Sequence, residues 1–447
     1  MSARRQLSLN LFVYPAGHHE AAWRYPQTGL DTLQDLGYYQ ALAQRAEQAT
    51  FDAIFLADSP VLPENIRYAA RFRLEPLTWL SAIAAATSHI GLIGTATTTY
   101  TEPYNLARQF AALDHLSGGR AGWNIVTTHE GKSPLNFGLD AHPEHGDRYA
   151  RATEFLDVAG KLWDSWEDDA LLADRASGVF ADTAKIHPIR HVGKYFRVGG
   201  ALSTSRSPQG RPVYVQAGSS EEGRSFAARF AEAIFTAHQT LDGARQFYTD
   251  IKRRAVALGR SAEHIKVLPG ISAFIGSTEV EARRLEEAFD ELIQPEFSLA
   301  ELSARLGVDF SRHDLDAPVA AELIDRQGKL ASYSRFKLIV DIIDRERPTL
   351  RQLIRRLAGA RGHFVLAGTP ERIADEIQRW FEQGAADGFN VMPPWMPGGF
   401  ELFADEVVPI LRRRGLFRER YAHRTLRGHY GLPRPESQYA QARRQTA

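Results

Sequence analysis

The chain has 447 residues, of which 44% are hydrophobic and 24% charged, as in ordinary soluble globular proteins with a sizeable core. Its 54 Lys and Arg residues balance its 54 Asp and Glu residues, so no net field attracts nucleic acid or a membrane surface. The absence of cysteine excludes disulfides, thiolate metal sites and a thiol nucleophile.

Eight short runs rich in β-branched and aromatic residues recur along the chain, separated by helical segments. They span residues 7–14, 51–58, 90–99, 120–128, 213–218, 231–237, 266–275 and 389–394. Their nearly continuous apolar character suits strands covered on both faces, as in a parallel sheet. Between them, residues 38–49 have helical spacing, and residues 370–382 begin with a Thr-Pro-Glu helix start. The pattern predicts an α/β fold, a (β/α)₈ TIM barrel, with a doubly wound sheet as the alternative.

Two connections, after strands 4 and 7, are longer than a βα unit needs. The first, about 129–212, contains a predicted helix at 147–166 and a loop rich in Gly, His and Ser. The second, about 276–388, contains a charged helical stretch at 279–360. In a barrel such insertions can cover the active face, and the chain 1–447 is then a single domain. The Arg-rich tail, about 418–447, is interpreted as a solvated arm, with an oligomer contact as the alternative.

Polar side chains follow the ends of five predicted strands, and in a barrel these ends meet at one rim. They include His18 and His19, Asp58, Thr95, Asn124 and the triplet Gly218-Ser219-Ser220. A lone Asp after a strand is usually a turn former, because its side chain bonds the local backbone. Because polar residues from four other strand ends are expected on the same rim, Asp58 is better interpreted as a functional carboxylate.

The clearest chemical signal is QAGSSEEGRSF, residues 216–226. Gly218 permits a tight turn, and Ser219 or Ser220 can cap the following helix, whose N–H groups and dipole suit a phosphate. An ordinary N-cap without a ligand is the competing interpretation. In HPEHGDRYARA, His145 and Tyr149 are four residues apart and share a helix face, although alone they are better explained as a surface pair.

Signals for other cofactors are weak or missing. Several histidine pairs have ligand-like spacing, but among 15 histidines such pairs arise by chance, and no HExxH pattern accompanies them. No metal site is therefore predicted. GxGxxG after a strand, GxxxxGK[ST] and GxSxG are absent from the sequence, so neither a nicotinamide fingerprint nor a P-loop nor a hydrolase elbow is predicted.

Further segments join those above: GHHEAAWR, FDAIFLAD, GTATTTYTEPYNLARQFAALDHLSGGRAGWNIVTT, NFGLD, HPEHGDRYARATEF, PVYVQAGSSEEGR, LAGTPERIADEIQRWFEQGAADGFNV and RTLRGHYGLPRP. Together they span nearly the whole chain. They resemble flavin-dependent monooxygenases of the bacterial luciferase-like superfamily, in the branch that holds nitrilotriacetate and dibenzothiophene-sulfone monooxygenases.

The resemblance implies a TIM barrel that uses FMN as FMNH2, supplied by a separate NAD(P)H:flavin reductase. It also implies that O2 forms a peroxyflavin, which oxygenates a small organic substrate, an organosulfur compound or an aminopolycarboxylate. The implied FMN-binding residues are Asp58 and Thr95 near the ring, Tyr149, Ser219 and Ser220 near the phosphate, and His145. The candidate catalytic residues, on the substrate or peroxide side, are His18 and Asn124.

Two other functions stay open: a deazaflavin-dependent oxidoreductase of the same superfamily, and a flavin-binding protein without turnover. The apolar run at the start is too short for a signal peptide, and the stretch 79–94 is interrupted by polar residues. A cytoplasmic homodimer or homotetramer is expected, with no membrane or nucleic-acid partner.

Overall fold

The computed structural model describes residues 5–62, 66–70, 73–319, 321–325 and 333–440. Eight parallel strands form a closed barrel: Ser8–Val13, Ala53–Leu56, Gly91–Thr97, Ala121–Val126, Val213–Gln216, Ala233–Thr236, Lys266–Ile275 and Gly388–Val391. Each strand pairs in parallel with the next, and the eighth pairs with the first, Gly388 opposite Ser8. All eight predicted strands are present, and the predicted (β/α)₈ barrel is confirmed.

Helices between the strands cover the outside of the barrel. They are Leu36–Gln48, Pro76–Ala84, Pro103–Leu116, His145–Trp163, Glu221–Phe230, Leu241–Ala257 and Pro370–Glu382, followed after the eighth strand by Gly398–Leu402 and Val408–Arg413. A last short helix, Leu426–His429, packs instead against the residues of the barrel interior. Side-chain caps set several helix starts, as where Thr369 accepts a hydrogen bond from the Arg372 N–H. The helix predicted at 370–382 has those bounds, and the one predicted at 147–166 begins two residues earlier and ends at Trp163.

Successive side chains along each strand point alternately out of and into the barrel, which separates the outer core from the barrel interior. Trp123 points outward, with its ring centroid 5.6 Å from Phe110 and 5.7 Å from Phe155 on two covering helices. Inside, the ring of Phe12 stacks on Phe55 at 4.6 Å and meets other aromatic and aliphatic side chains. The interior is thus an apolar plug, and polar groups are confined to the layers above and below it.

The first insertion contains two short antiparallel hairpins that were not predicted from the sequence. They pair Leu171–Asp174 with Val179–Ala181, and His191–Val192 with Arg197–Val198. The carboxylate of Glu154, on the helix His145–Trp163, accepts hydrogen bonds from the Phe196 N–H at 2.9 Å and from His191 Nε2 at 3.0 Å. This partly buried contact holds the second hairpin against the helix His145–Trp163.

Ahead of Pro370–Glu382, the second insertion contains the described α-helices Glu279–Glu291, Pro295–Leu306, Tyr333–Glu346 and Leu350–Ala358. The last three share an apolar cluster separate from the barrel core, which includes Leu302, Ile339 and Leu353. An unpredicted strand, Phe364–Gly368, then pairs with Ile271–Ile275 at the outer end of the long seventh strand. This pairing brings residues 359–363 over the barrel mouth.

The tail is not a solvated arm over its described residues, 418–440. Leu426 and Tyr430 are 0% and 2% exposed, and Tyr430 Oη donates to Asn10 Oδ1 inside the barrel at 2.8 Å. The guanidinium of Arg427 pairs with Glu232 at 2.5 Å, also buried. The tail therefore closes the end of the barrel at which the strands begin, and two of its arginines, Arg418 and Arg427, pair with the buried carboxylates of Asp52 and Glu232. Among the described helices, none combines the length and apolarity that a bilayer span requires.

Candidate functional site

A small cradle lies where the fifth strand passes into the helix Glu221–Phe230. Ser220 caps this helix, since its Oγ accepts a hydrogen bond from the Gly223 N–H at 3.1 Å. A Cβ atom added to Gly218 would lie 3.2 Å from Tyr149 Oη, and one added to Gly223 would lie 3.1 Å from it. Glycine at both positions therefore lets the Tyr149 hydroxyl lie directly at the helix start.

Two helix starts meet at the cradle, because Tyr149 lies in the second turn of His145–Trp163. Burial raises the pKa of the Tyr149 hydroxyl, although the neighbouring side chains of Ser220 and Thr127 lower it, so the hydroxyl remains neutral and able to donate. The exposed ring of His145 lies 5.0 Å from that of Tyr149, and His145 Nδ1 lies 3.9 Å from Glu222 Oε2. The structure thus brings Tyr149 next to Ser220 and His145, three of the residues predicted from the sequence to bind FMN, and Ser219 precedes Ser220 in the chain.

Cations next to the cradle hold its backbone. Arg224 Nε donates to the Ser219 carbonyl at 3.0 Å, and buried Arg148 donates to the carbonyls of Thr127 and Thr128. The acidic side chain of Glu221 is paired outward with Arg254 at 2.5 Å. N–H groups and hydroxyls therefore face the cradle, which is the donor set that an anionic oxygen requires.

Above the apolar plug, Asn124 presents an amide to the barrel interior. It lies next to outward-facing Trp123 in the fourth strand, so its side chain points inward. Asn124 Nδ2 donates to Thr95 Oγ1 at 2.8 Å, and Thr95 Oγ1 donates to the Leu56 carbonyl at 2.8 Å. The Oδ1 atom of Asn124 is buried without a hydrogen-bond partner among the described residues. Thr95 thus orients an amide whose oxygen is available to an N–H group of a bound ring.

Asp58 follows the second strand and is half-buried. Its Oδ1 accepts a hydrogen bond from the Ser59 N–H at 2.8 Å, which is the local bond of a turn former. Burial raises the pKa of Asp58, while the Ser59 N–H and the positive charge of Arg73 lower it. The residue is therefore both a turn former and a rim carboxylate with a cationic neighbour.

His18 is 1% exposed, and both of its ring nitrogens are engaged. Nε2 lies 2.8 Å from the Phe12 carbonyl, and Nδ1 lies 2.8 Å from Arg361 Nη2. Burial lowers the pKa of His18 well below its usual value, and Arg361 and Arg73 lower it further. Both ring nitrogens of this neutral imidazole thus bond to protein groups, so its described contacts are structural, and its predicted place on the substrate or peroxide side stays a prediction.

Three further residues at the mouth were not identified from the sequence: Arg73, Arg361 and His363. The ring of His363 stacks on Phe235 in the barrel interior at 4.8 Å, and Arg361 lies over the ring of Tyr14 at 4.3 Å. Both come from the second insertion, which therefore reaches the mouth. In the sequence, Arg361 and His363 are marked only by the short segment GARGH, residues 359–363, before an apolar run.

The described ranges contain no candidate metal-binding site, since no three His, Asp or Glu side chains there lie close enough together to bind one ion. The cradle and the amide of Asn124 instead suit the two ends of a flavin mononucleotide, a phosphate and a ring with an N–H group. The residues present therefore fit this cofactor.

Comparisons with known proteins agree with this chemistry. The sequence model of the luciferase-like monooxygenase family matches residues 12–387. The chain is 46% identical over 440 residues to N-acetyl-S-(2-succino)cysteine monooxygenase of Bacillus subtilis (strain 168), covering 98% of this chain and 99% of that protein. It is 45% identical over 453 residues to nitrilotriacetate monooxygenase component A of Aminobacter aminovorans, with the same coverages.

Two solved structures show the same fold over nearly the whole chain. DmoA from Hyphomicrobium sulfonivorans superposes with a TM-score of 0.87 at 34% identity, covering 98% of this chain and 96% of that one. Riboflavin lyase, solved with modified FMN and riboflavin, superposes with a TM-score of 0.85 at 34% identity, covering 96% and 97%.

Proposed function

The chain belongs to the luciferase-like monooxygenase family, and we propose on this premise that it uses FMNH2 and O2 to oxygenate a small organic substrate. The observation that carries the proposal is the cradle formed by Ser219, Ser220 and Tyr149 at a helix start, below which the amide of Asn124 faces inward with its oxygen open. Bound reduced flavin would supply the oxygen activation, so the protein has only to bind, orient and protect the cofactor.

Each proposed role follows from a contact already described. Ser219, Ser220 and Tyr149 bind the phosphate, with His145 at the edge of the cradle. Thr95 holds Asn124, whose Oδ1 accepts a hydrogen bond from the ring. Asp58 fixes the ring from the rim, and its raised pKa leaves proton transfer as a secondary role. The insertion residues 359–363 exclude water from the mouth, which limits side reactions.

We propose further that a separate reductase supplies FMNH2. The sequence has no nicotinamide fingerprint. The Aminobacter relative is named component A, which describes one part of a larger system. Candidate substrates are organosulfur compounds and aminopolycarboxylates, starting with N-acetyl-S-(2-succino)cysteine and nitrilotriacetate, after which the two relatives are named. A cytoplasmic homodimer or homotetramer is part of the same proposal.

The test combines purified protein with FMN, NADH and these substrates, with and without an unrelated flavin reductase. We expect negligible turnover by the chain alone, and substrate-stimulated O2 uptake with oxygenated product once the reductase is added. Robust NADH oxidation by the chain alone would contradict the proposal. Flavin binding without any substrate-stimulated O2 uptake would favour the deazaflavin enzyme or the non-catalytic flavin-binding protein.

A further inference from the structure

The helix His145–Trp163 carries a buried arginine directly before Tyr149 of the cradle. Arg148 is 7% exposed, and its guanidinium donates to the Thr127 carbonyl at 3.2 Å and to the Thr128 carbonyl. These two threonines directly follow the fourth strand, and the side chain of Thr127 also neighbours the Tyr149 hydroxyl. Arg148 therefore lies where the cradle meets the end of the fourth strand.

The charge of Arg148 has no carboxylate partner within the described part of the chain. Burial lowers the pKa of its guanidinium, and the groups that oppose this effect are the phenols of Tyr149 and Tyr100, whose own pKa values are raised. Its Nε–H group is buried and has no hydrogen-bond partner among the same residues. An arginine stays charged in a protein, and buried charges are ordinarily paired. Arg148 therefore lacks the anion that its burial calls for.

The carboxylates closest to this region do not cancel the charge. Glu222 is 53% exposed and lies 3.9 Å from His145 Nδ1, and it raises the pKa of Tyr149. Glu130 raises the pKa of Tyr100. At both phenols the opposite effect of Arg148 is the larger of the two. The potential beside the Tyr149 hydroxyl is therefore positive.

The hydrogen bonds of Arg148 alone do not require an arginine. They hold Thr128, whose φ of 53° is a strained left-handed conformation for a β-branched residue. The same turn is also held by Thr128 Oγ1, which donates to Thr97 Oγ1 at 2.7 Å. A neutral amide side chain could donate to the two carbonyls with a smaller desolvation cost. The positive charge therefore serves something other than this turn.

We propose that Arg148 supplies the buried positive charge that balances the phosphate of FMN in the cradle. The hydroxyls and N–H groups of the cradle provide the hydrogen bonds, and Arg148, one position before Tyr149, provides the charge. Arg224, a second cation at the cradle, is instead paired with Asp250 at 3.4 Å. This inference rests on the proposed function and goes further, since it makes Arg148 the positioning residue that selects a doubly charged phosphate monoester over less charged flavins.

The test compares three ligands that share the flavin ring and differ in the charge of the side-chain end: FMN, riboflavin 5′-sulfate and riboflavin. Their end groups carry about two, one and no negative charges at pH 8. Because Coulomb energy scales with charge, Arg148→Gln should weaken FMN binding by roughly ten- to a hundredfold and sulfate binding by roughly three- to tenfold, and riboflavin binding by less than about twofold. Dissociation constants come from anaerobic calorimetry with the reduced ligands.

Two further variants separate the charge from the hydrogen bonds and from the helix. Arg148→Lys should keep most of the FMN affinity, because it retains the charge but not the planar donor set. Arg151→Gln is the matched control: Arg151 lies on the same helix and donates to the Thr98 carbonyl at 3.1 Å, but Glu102 lies 3.7 Å away. It should change the affinity for all three ligands by less than about twofold. A melting temperature close to that of wild type would show that each fold is intact.

Equal weakening of all three ligands in Arg148→Gln would mean that Arg148 only holds the turn at Thr128, and the inference would be overturned. An Arg148→Lys variant as weak as Arg148→Gln would overturn it as well, since the planar donors and not the charge would then matter. A preference for FMN that survives in Arg148→Gln would overturn this inference alone. If wild type did not prefer FMN to riboflavin, the assignment of the cradle to a phosphate under the proposed function would fail together with it.

Discussion

Replacing Ser219 and Ser220 together by alanine should separate the binding of FMN from that of riboflavin, since only FMN carries the phosphate. Both serines lie at the start of Glu221–Phe230, where N–H groups and the helix dipole favour an anion. Riboflavin offers the same ring to Asn124 and Asp58 but nothing to the cradle. The two ligands therefore report on the two ends of the site independently.

The magnitude follows from the contacts that are lost. Removing one or two hydrogen bonds to a charged phosphate costs about 1.5–3 kcal/mol each, so FMN affinity should fall by about tenfold at least and by on the order of 10⁴-fold at most. Ser220 Oγ also caps the helix through the Gly223 N–H at 3.1 Å, and losing the cap costs about 1 kcal/mol of folding stability. Losing the cap lowers the melting temperature, but it does not change the affinity for FMN relative to that for riboflavin.

The assay is a pair of anaerobic titrations with reduced FMN and reduced riboflavin. Ser225→Ala, on the exposed face of the same helix, is the control and should bind both ligands as wild type does. Ser220→Thr should keep the cap and most of the FMN affinity. Unchanged FMN affinity in the double variant would place the phosphate elsewhere. An equal loss for FMN and riboflavin would mean that the serines act only through the fold.

Two further outcomes are expected. Asp58→Ala should uncouple turnover, so that hydrogen peroxide replaces product at equal FMN occupancy, while Asp58→Asn should do so much less; full coupling in Asp58→Ala would return the residue to a plain turn former. Glu232→Gln should destabilise the protein by about 3–5 kcal/mol in urea unfolding at pH 7, because it leaves the buried Arg427 without its partner. Burial raises the pKa of Glu232, but the charges of Arg211 and Arg427 outweigh this effect and hold the pKa at about 2. Ionised Glu232 therefore contributes about 3 kcal/mol to the free energy of unfolding above the usual carboxyl pKa. This contribution is lost as the pH falls toward 2. Asp375→Asn, which breaks the exposed pair with Arg414, should cost less than about 1 kcal/mol, and a loss for Glu232→Gln no larger than this would refute the argument.

The barrel was predictable because each of its strands is a compact apolar run between helical segments. The strand Phe364–Gly368 is equally apolar but was missed, since it follows a long charged helical stretch and pairs only with the outer end of the seventh strand. The tail was misinterpreted for a different reason. Its arginines are typical of a solvated arm, but Leu426, Tyr430 and Leu432 insert into the barrel, and Arg427 pairs with a buried carboxylate.

The cradle was predictable in part, because its glycine, serines and helix start are neighbours in the sequence. His18 was identified as a rim residue, but its role depends on Arg361, which is 343 residues away in the chain. Local patterns carry no information on such a contact. The open oxygen of Asn124 likewise depends on which way Thr95 turns the amide, and only the packed barrel determines this.

The position of the tail also has a consequence for synthesis on the ribosome. The barrel's eight strands end at Val391, yet Leu426 and Tyr430 fill the opening at their starting ends. While the segment from 392 to 432 is still being translated, the paired strands enclose an apolar interior that is open to water at one end. Completion of the native core must therefore wait until Leu432 has left the exit tunnel, and until then part of the apolar interior stays exposed to water.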